Sequence, residues 1–159
     1  VAAGGRTGGT ALSGGQALFR PLRRGTGFGR VWAALAAGAG GGGGRRRGAA
    51  RWGWDVLRFI AYTIMPNHVH MVFTPLPKGE DDYYALPWIM HGLKRRSAWD
   101  ANTALGRRGA FWQREYYDHY ARDGHEVERI IAYVLQNPVK AGLAGSWEEW
   151  PWSYWKHTS

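Results

Sequence analysis

Ala61-Tyr62-Thr63-Ile64-Met65-Pro66-Asn67-His68-Val69-His70 is the stretch on which the fold turns. Trp54 to Met65 is dominated by branched and aromatic residues, Pro66-Asn67 supplies a turn, and His68 to Thr74 reads as a returning strand. The pattern predicts an antiparallel hairpin. Side chains alternate along a strand, so His68 and His70 project from one side while Val69 points into the core. Two imidazoles so placed can chelate one metal ion. The same spacing also occurs on ordinary half-buried strands, so the pair needs a second element before it means chemistry.

That element lies downstream. Glu126 to Gln136 is the clearest helix, expected to end near Asn137 because Pro138 disfavours helical geometry in the residue before it. Val127, Ile131, Val134 and Leu135 form its core stripe, whereas Glu126, Arg129, Tyr133, Asn137 and Lys140 group on the polar side. Tyr133 and Asn137 are four apart and therefore stacked on one face. A structural tyrosine belongs in the apolar stripe; this one stands among charges and an amide. A phenol is mostly protonated at neutral pH, and a nearby cation improves it as a nucleophile. His68, His70 and the Asn137 amide oxygen can supply three ligands and leave positions open for a phosphate. Attack by Tyr133 would form a phosphotyrosine ester, which conserves the linkage energy that hydrolysis discards.

Between these elements, Tyr84 to Ala104 has helical spacing, with Leu86, Ile89, Met90, Leu93 and Ala98 on one face and Lys94, Arg95 and Arg96 beside it. Gly106 to Gly109 breaks it. Phe111 to Ala121 reads as a strand or extended edge segment, and Trp147 to Tyr154 as a tryptophan-rich closing segment.

Residues 1–50 have a different texture. They hold eight arginines, no acid and sixteen of the twenty-four glycines, with a glycine-rich run from Gly38 to Gly44 ahead of Arg45, Arg46 and Arg47. Such a segment buries little apolar surface against a large ordering entropy, so a poorly ordered segment over 1–50 and one folded domain over 51–159 are expected. Phe28 to Ala37 could make a short helix. Eight of the nine net positive charges reside in the first segment, because the remaining 109 residues carry thirteen basic and twelve acidic side chains. There are no cysteines, which excludes disulfides, thiolate nucleophiles and cysteine-based zinc sites and fits a reducing cytoplasm. No apolar run reaches membrane-spanning length, and Val1 to Gly9 is not read as an export signal.

Met65-Pro66-Asn67-His68-Val69-His70 looks like the MPNHxH signature of the single-tyrosine HUH transposases. The stretches Gly109 to His119, Tyr133 to Gly142 and Trp150-Pro151-Trp152-Ser153 resemble the branch called REP-associated tyrosine transposases, and the likeness runs from about residue 52 to 155. It implies a ferredoxin-like α+β HUH endonuclease fold: an antiparallel sheet with helices on one face and the histidine pair on a central strand. It further implies Tyr133 as nucleophile, His68 and His70 as metal ligands, Asn137 as third ligand, Mg2+ or Mn2+ as cofactor, and single-stranded DNA near a hairpin as substrate. Family members begin with a hydrophobic strand. Here that strand is expected to be degenerate or missing, with at most a remnant around Ala11 to Leu22. A truncated, mis-started or decayed copy, or a sheet completed in a homodimer rather than a monomer, would follow.

Lys94, Arg95, Arg96, Arg107, Arg108, Arg114 and Lys140 are the candidate DNA-binding residues, expected to flank the site; a solvated helix face explains the first three almost as well. Trp112, Tyr116 and Tyr117 can stack on unpaired bases, although aromatics in such a segment are more often core. Asp118 and His119 could reach the metal, although a structural hydrogen-bonding role is the favoured reading. Two rival readings remain open: a non-catalytic DNA-binding relative, and a metal-dependent phosphodiester hydrolase that uses water in place of the tyrosine.

Overall fold

The computed structural model describes residues 11–16, 56–80 and 82–156. The expected hairpin is strands β2 (Leu57–Ile64) and β3 (His68–Pro75). Its turn is closed by the Met65 N–H donating to the His68 carbonyl at 2.8 Å, across Pro66 and Asn67. Pairing Ile64 with Val69 and Thr63 with His70 sets the register, and a bulge at Ile60 re-phases the outer half of β2.

Strand β1 (Ala11–Gln16) inserts between β3 and β6 (Tyr117–Tyr120), while β7 (Ser153–Trp155) covers the far side of β2. The sheet order is β6-β1-β3-β2-β7 and every pairing is antiparallel. The first strand expected to be missing is therefore present within the remnant noted at Ala11 to Leu22. Its sequence, ALSGGQ, is degenerate: two central glycines have poor strand propensity, and pairing on both sides overrides it. A second copy is not needed to complete the sheet. The proposed helix at Phe28 to Ala37 and the domain boundary at residue 50 lie outside the described residues. A small hairpin, β4 (Pro77–Gly79) with β5 (Asp82–Tyr83), stands apart from the sheet.

Helix α1 (Leu86–Leu105) starts with Pro87 in its first turn and stops at Gly106, whose φ of 63° is left-handed and lets its N–H reach the Asn102 and Thr103 carbonyls. It buries Leu86, Ile89, Met90 and Leu93 against Phe73, and Ala101 against Tyr62, Ile64 and Val69. Helix α2 (Gly124–Lys140) buries Ile131, Val134 and Leu135 against Ala61 and Val72. Val72 and Phe73 are adjacent on β3 and point to opposite faces. The two described helices thus lie on opposite faces of the sheet, which corrects the expectation of helices on one face. Fully burying each such side chain contributes about 1.5–3 kcal/mol, so both faces need their helix.

Two further expectations shift. The second helix does not end before Pro138 but runs to Lys140. Pro138 removes only the N–H that would serve the Val134 carbonyl; the Asn137 Nδ2 donates to the Tyr133 carbonyl at 2.8 Å and leans toward Val134's at 3.4 Å. The proline ring is fully buried, so packing offsets the lost bond. Of the extended segment from Phe111 to Ala121, only Tyr117–Tyr120 pairs as a strand. Ahead of it the carbonyls of Gln113, Arg114 and Glu115 are taken by the Lys94 ammonium instead of a ladder, at 2.8, 3.1 and 3.0 Å. The tryptophan-rich end closes the core: buried Trp150 donates from Nε1 to the Ile64 carbonyl at 3.0 Å, and Tyr154 stacks on Tyr62. Among the described residues no helix is long and apolar enough to cross a membrane.

Candidate active site

His68 and His70 stand on β3, the middle strand of five, and share the face covered by α2. The tight hairpin turn sets His68 at the first residue of the strand, where Asn67 is its neighbour. His68 Nδ1 donates to Asn67 Oδ1 at 2.7 Å, which leaves Nε2 as the acceptor nitrogen, facing His70. The two Nε2 atoms are 3.1 Å apart and the rings meet edge to face. Burial lowers the His68 imidazole; burial, reinforced by the His68 neighbour, holds His70 down at about 4. Both rings are therefore neutral near pH 7, the form in which imidazole ligates metals.

These observations bear on whether a cation fits. Two nitrogens each about 2.1 Å from one ion stand about 3.0 Å apart when they meet at a right angle. The observed 3.1 Å suits neighbouring ligands of a single ion. Among the described residues no three of His, Cys, Asp and Glu converge, so a third protein donor must be of another type. Asn137 is of that type: with its Nδ2 engaged on the helix carbonyls, the amide oxygen is the free donor atom. The set fits a divalent cation that also takes oxygen from phosphate or water.

Tyr133 comes to the same place from α2. Its ring lies 5.6 Å from that of His70, nearly perpendicular to it, and is 48 % exposed. It is neither remote from the imidazoles nor sealed in the interior. Lys140, two turns on, holds its ammonium 5.1 Å from the Tyr133 ring centroid. The helix is anchored at its start by Asp123, whose carboxylate accepts the Glu126 N–H at 2.8 Å. Glu126 in turn accepts from the Arg122 N–H at 2.7 Å and pairs with His119 Nε2 of β6 at 2.9 Å. His119 thus has the structural role expected of it, and the bond ties the tyrosine-bearing helix to the sheet edge.

The basic candidates divide. Only Lys140 is beside the tyrosine. Lys94, Arg95 and Arg96 belong to α1, on the opposite face from the histidines, which corrects the expectation that they flank the site. Lys94 is consumed by three carbonyls, and burial lowers its ammonium while Glu115 opposes that. Arg96 pairs with Asp100 at 3.4 Å. Arg107 donates to the Ala110 carbonyl at 3.0 Å, and Arg108 and Arg114 are exposed. Arg95 and Arg114 border an open groove of about 370 Å³ whose walls include Trp112 and Tyr116. Sequence reasoning missed Asn67 as the group that orients His68; its signal was its place immediately before the first histidine, where it was read only as a turn former.

The IS200-like transposase family profile matches residues 49–137, a span that contains both histidines, Tyr133 and Asn137. A putative REP-associated tyrosine transposase of Haemophilus influenzae is 29% identical over 100 residues, 59% of this chain and 56% of the relative. The REP-associated tyrosine transposase of Escherichia coli is 29% identical over 93 residues, 58% of this chain and 51% of its own length. The matched region thus spans about half the length of these curated relatives. In structure the chain is similar to a REP-associated tyrosine transposase bound to a REP hairpin, with a TM-score of 0.60 at 21% identity over 96% of this chain and 80% of the other.

Proposed function

The chain belongs to the IS200-like transposases, and from that premise we propose that it cleaves and rejoins single-stranded DNA through Tyr133, with a divalent cation, Mg2+ or Mn2+, held by His68, His70 and Asn137. The observation that carries this reading is the meeting of two independent elements: the Tyr133 ring from α2 stands against His70, whose Nε2 already faces that of His68.

The chain's own residues divide the work. Asn67 holds the His68 proton on Nδ1, so that Nε2 turns its lone pair toward His70 Nε2. The cation, when bound, supplies Lewis-acid polarisation of the scissile phosphate and offsets the charge that develops there. Lys140, beside the Tyr133 ring, favours negative charge on the phenol oxygen. That oxygen attacks phosphorus; the bond from phosphorus to the 3′ oxygen breaks, the departing 3′ oxygen takes up a proton, and the 5′ phosphate remains esterified to Tyr133. Attack on that ester by a 3′ hydroxyl reverses the step and joins strands without ATP. Because the similar structure contains a REP hairpin, a hairpin next to the cleaved strand is the substrate class proposed.

The test is a denaturing gel of the purified protein incubated with Mn2+ or Mg2+ and labelled single-stranded oligonucleotides that carry a hairpin. A slow-migrating protein–DNA adduct is expected, dependent on metal and absent in Tyr133→Phe and His68→Ala. Metal-dependent cleavage that persists in Tyr133→Phe with no adduct would replace this reading by hydrolysis.

A further inference from the structure

The strand register sets a glycine directly beside His70. Gly14 of β1 is opposite His70 of β3 on one side and opposite Tyr117 of β6 on the other. Directly opposed residues of antiparallel strands share a face, so Tyr117 projects from the same face as His70 with only a glycine between them. Neighbouring strands are about 4.8 Å apart, which places the two Cα atoms about 10 Å from each other. Tyr117 is 73% exposed, and among the described residues its phenol has no partner.

The helix side of this face is cationic. Arg129 is one turn before Tyr133 on the same face of α2, with its side chain 69% exposed and its guanidinium 3.9 Å from Glu126 Oε1. Glu126 in turn holds His119, which shares the face of Tyr117 on β6. The Glu126 carboxylate is therefore already engaged, and Arg129 keeps most of its surface in water. A glycine inside a paired strand costs stability and often marks close approach by a ligand. An exposed aromatic ring, a glycine between it and His70, and an exposed guanidinium on the helix that carries Tyr133 match a planar base joined to a phosphate.

We propose that this face seats an unpaired nucleotide next to the cleaved phosphate, with its base stacked on Tyr117, its backbone crossing Gly14 and a phosphate held by Arg129. The inference rests on the single-strand transfer reading above and adds the residues that position the strand. Because every base has a π-face, Tyr117 would give affinity with little sequence preference.

The test uses the full chain carrying Tyr133→Phe, in EDTA, so that no chemistry intervenes. Fluorescence anisotropy reads its binding to a labelled single-stranded oligonucleotide of random sequence. Tyr117→Ala is expected to weaken binding about tenfold, whereas Tyr117→Trp restores it, which a role for the hydroxyl would not allow. Arg129→Ala lowers the slope of log affinity against log salt by about 0.7. Gly14→Leu adds a side chain between His70 and Tyr117 and is expected to weaken binding at least as much as Tyr117→Ala; the exposed Tyr117 pair decides if that variant does not fold. Binding by Tyr117→Ala as tight as in the parent overturns the proposal, as does an equal loss for single-stranded and duplex probes. Failure to see an adduct in the gel assay would strike the transfer reading alone, since the binding measured here needs neither metal nor Tyr133.

Discussion

Replacing Lys94 by Met separates a structural role from a DNA-contacting one. The substitution keeps an unbranched apolar stem on α1 but removes the ammonium that the carbonyls of Gln113, Arg114 and Glu115 share. A hydrogen bond to a charged group contributes about 1.5–3 kcal/mol when its loss strands a buried partner. Only the Gln113 bond is part-buried, and water can replace Lys94 at the two exposed carbonyls. The expected loss is therefore that of one such bond, about 2 kcal/mol, or about 4–8 °C in melting temperature for a domain of this size. Urea titration followed by tryptophan fluorescence should show a lower midpoint at unchanged slope. In parallel, the salt dependence of single-stranded DNA binding should stay as in the parent, because an ammonium committed to carbonyls neutralises no phosphate. An unchanged midpoint together with a shallower salt slope would refute the assignment and return Lys94 to the nucleic-acid surface.

Asn67→Ala frees the His68 ring to rotate or change tautomer, and Mn2+ affinity measured by calorimetry should fall by about 10- to 100-fold while the fold is kept; an unaltered affinity would mean that Asn67 is only a turn residue. Trp150→Phe leaves the buried Ile64 carbonyl without the indole N–H and should cost about 1–3 kcal/mol in denaturant unfolding. The Glu126 carboxyl is held below its usual range first by the Arg122 N–H and then by His119. Its contribution to stability is complete above the ordinary carboxylate pKa and is lost as pH falls through the depressed one. Acid unfolding curves of Glu126→Gln should consequently be flatter than the parent's in that window, and superimposable curves would count against the link.

The hairpin and the face of its two histidines were legible because they follow from local rules: alternation, a two-residue turn, a period of two. The polar side of α2 was equally legible from its period of 3.6, and Tyr133 is on that side, against His70. What local rules could not show is non-local. The two glycines of ALSGGQ argue against a strand, and only pairing with β3 and β6 makes it one. Pro138 argues for a helix end, but burial of its ring and the Asn137 amide carry the helix past it. Lys94 read as a free cation because the segment whose carbonyls it binds lies about twenty residues away in sequence. Which face each helix covers is likewise a property of the assembled sheet.

Strand β1 is the keystone of the sheet, since among the described residues it is the one strand that β6 pairs with. The hairpin of β2 and β3 closes a loop of two residues, whereas β1 must find β3 across roughly fifty, and closure entropy grows with that separation. Sheet assembly should therefore lag behind hairpin formation, and the inner edge of β3, with the histidines on it, is open to mispairing until β1 arrives. Newly made chains would be most prone to aggregate in that interval, so yield on refolding should respond strongly to substitutions in residues 11–16.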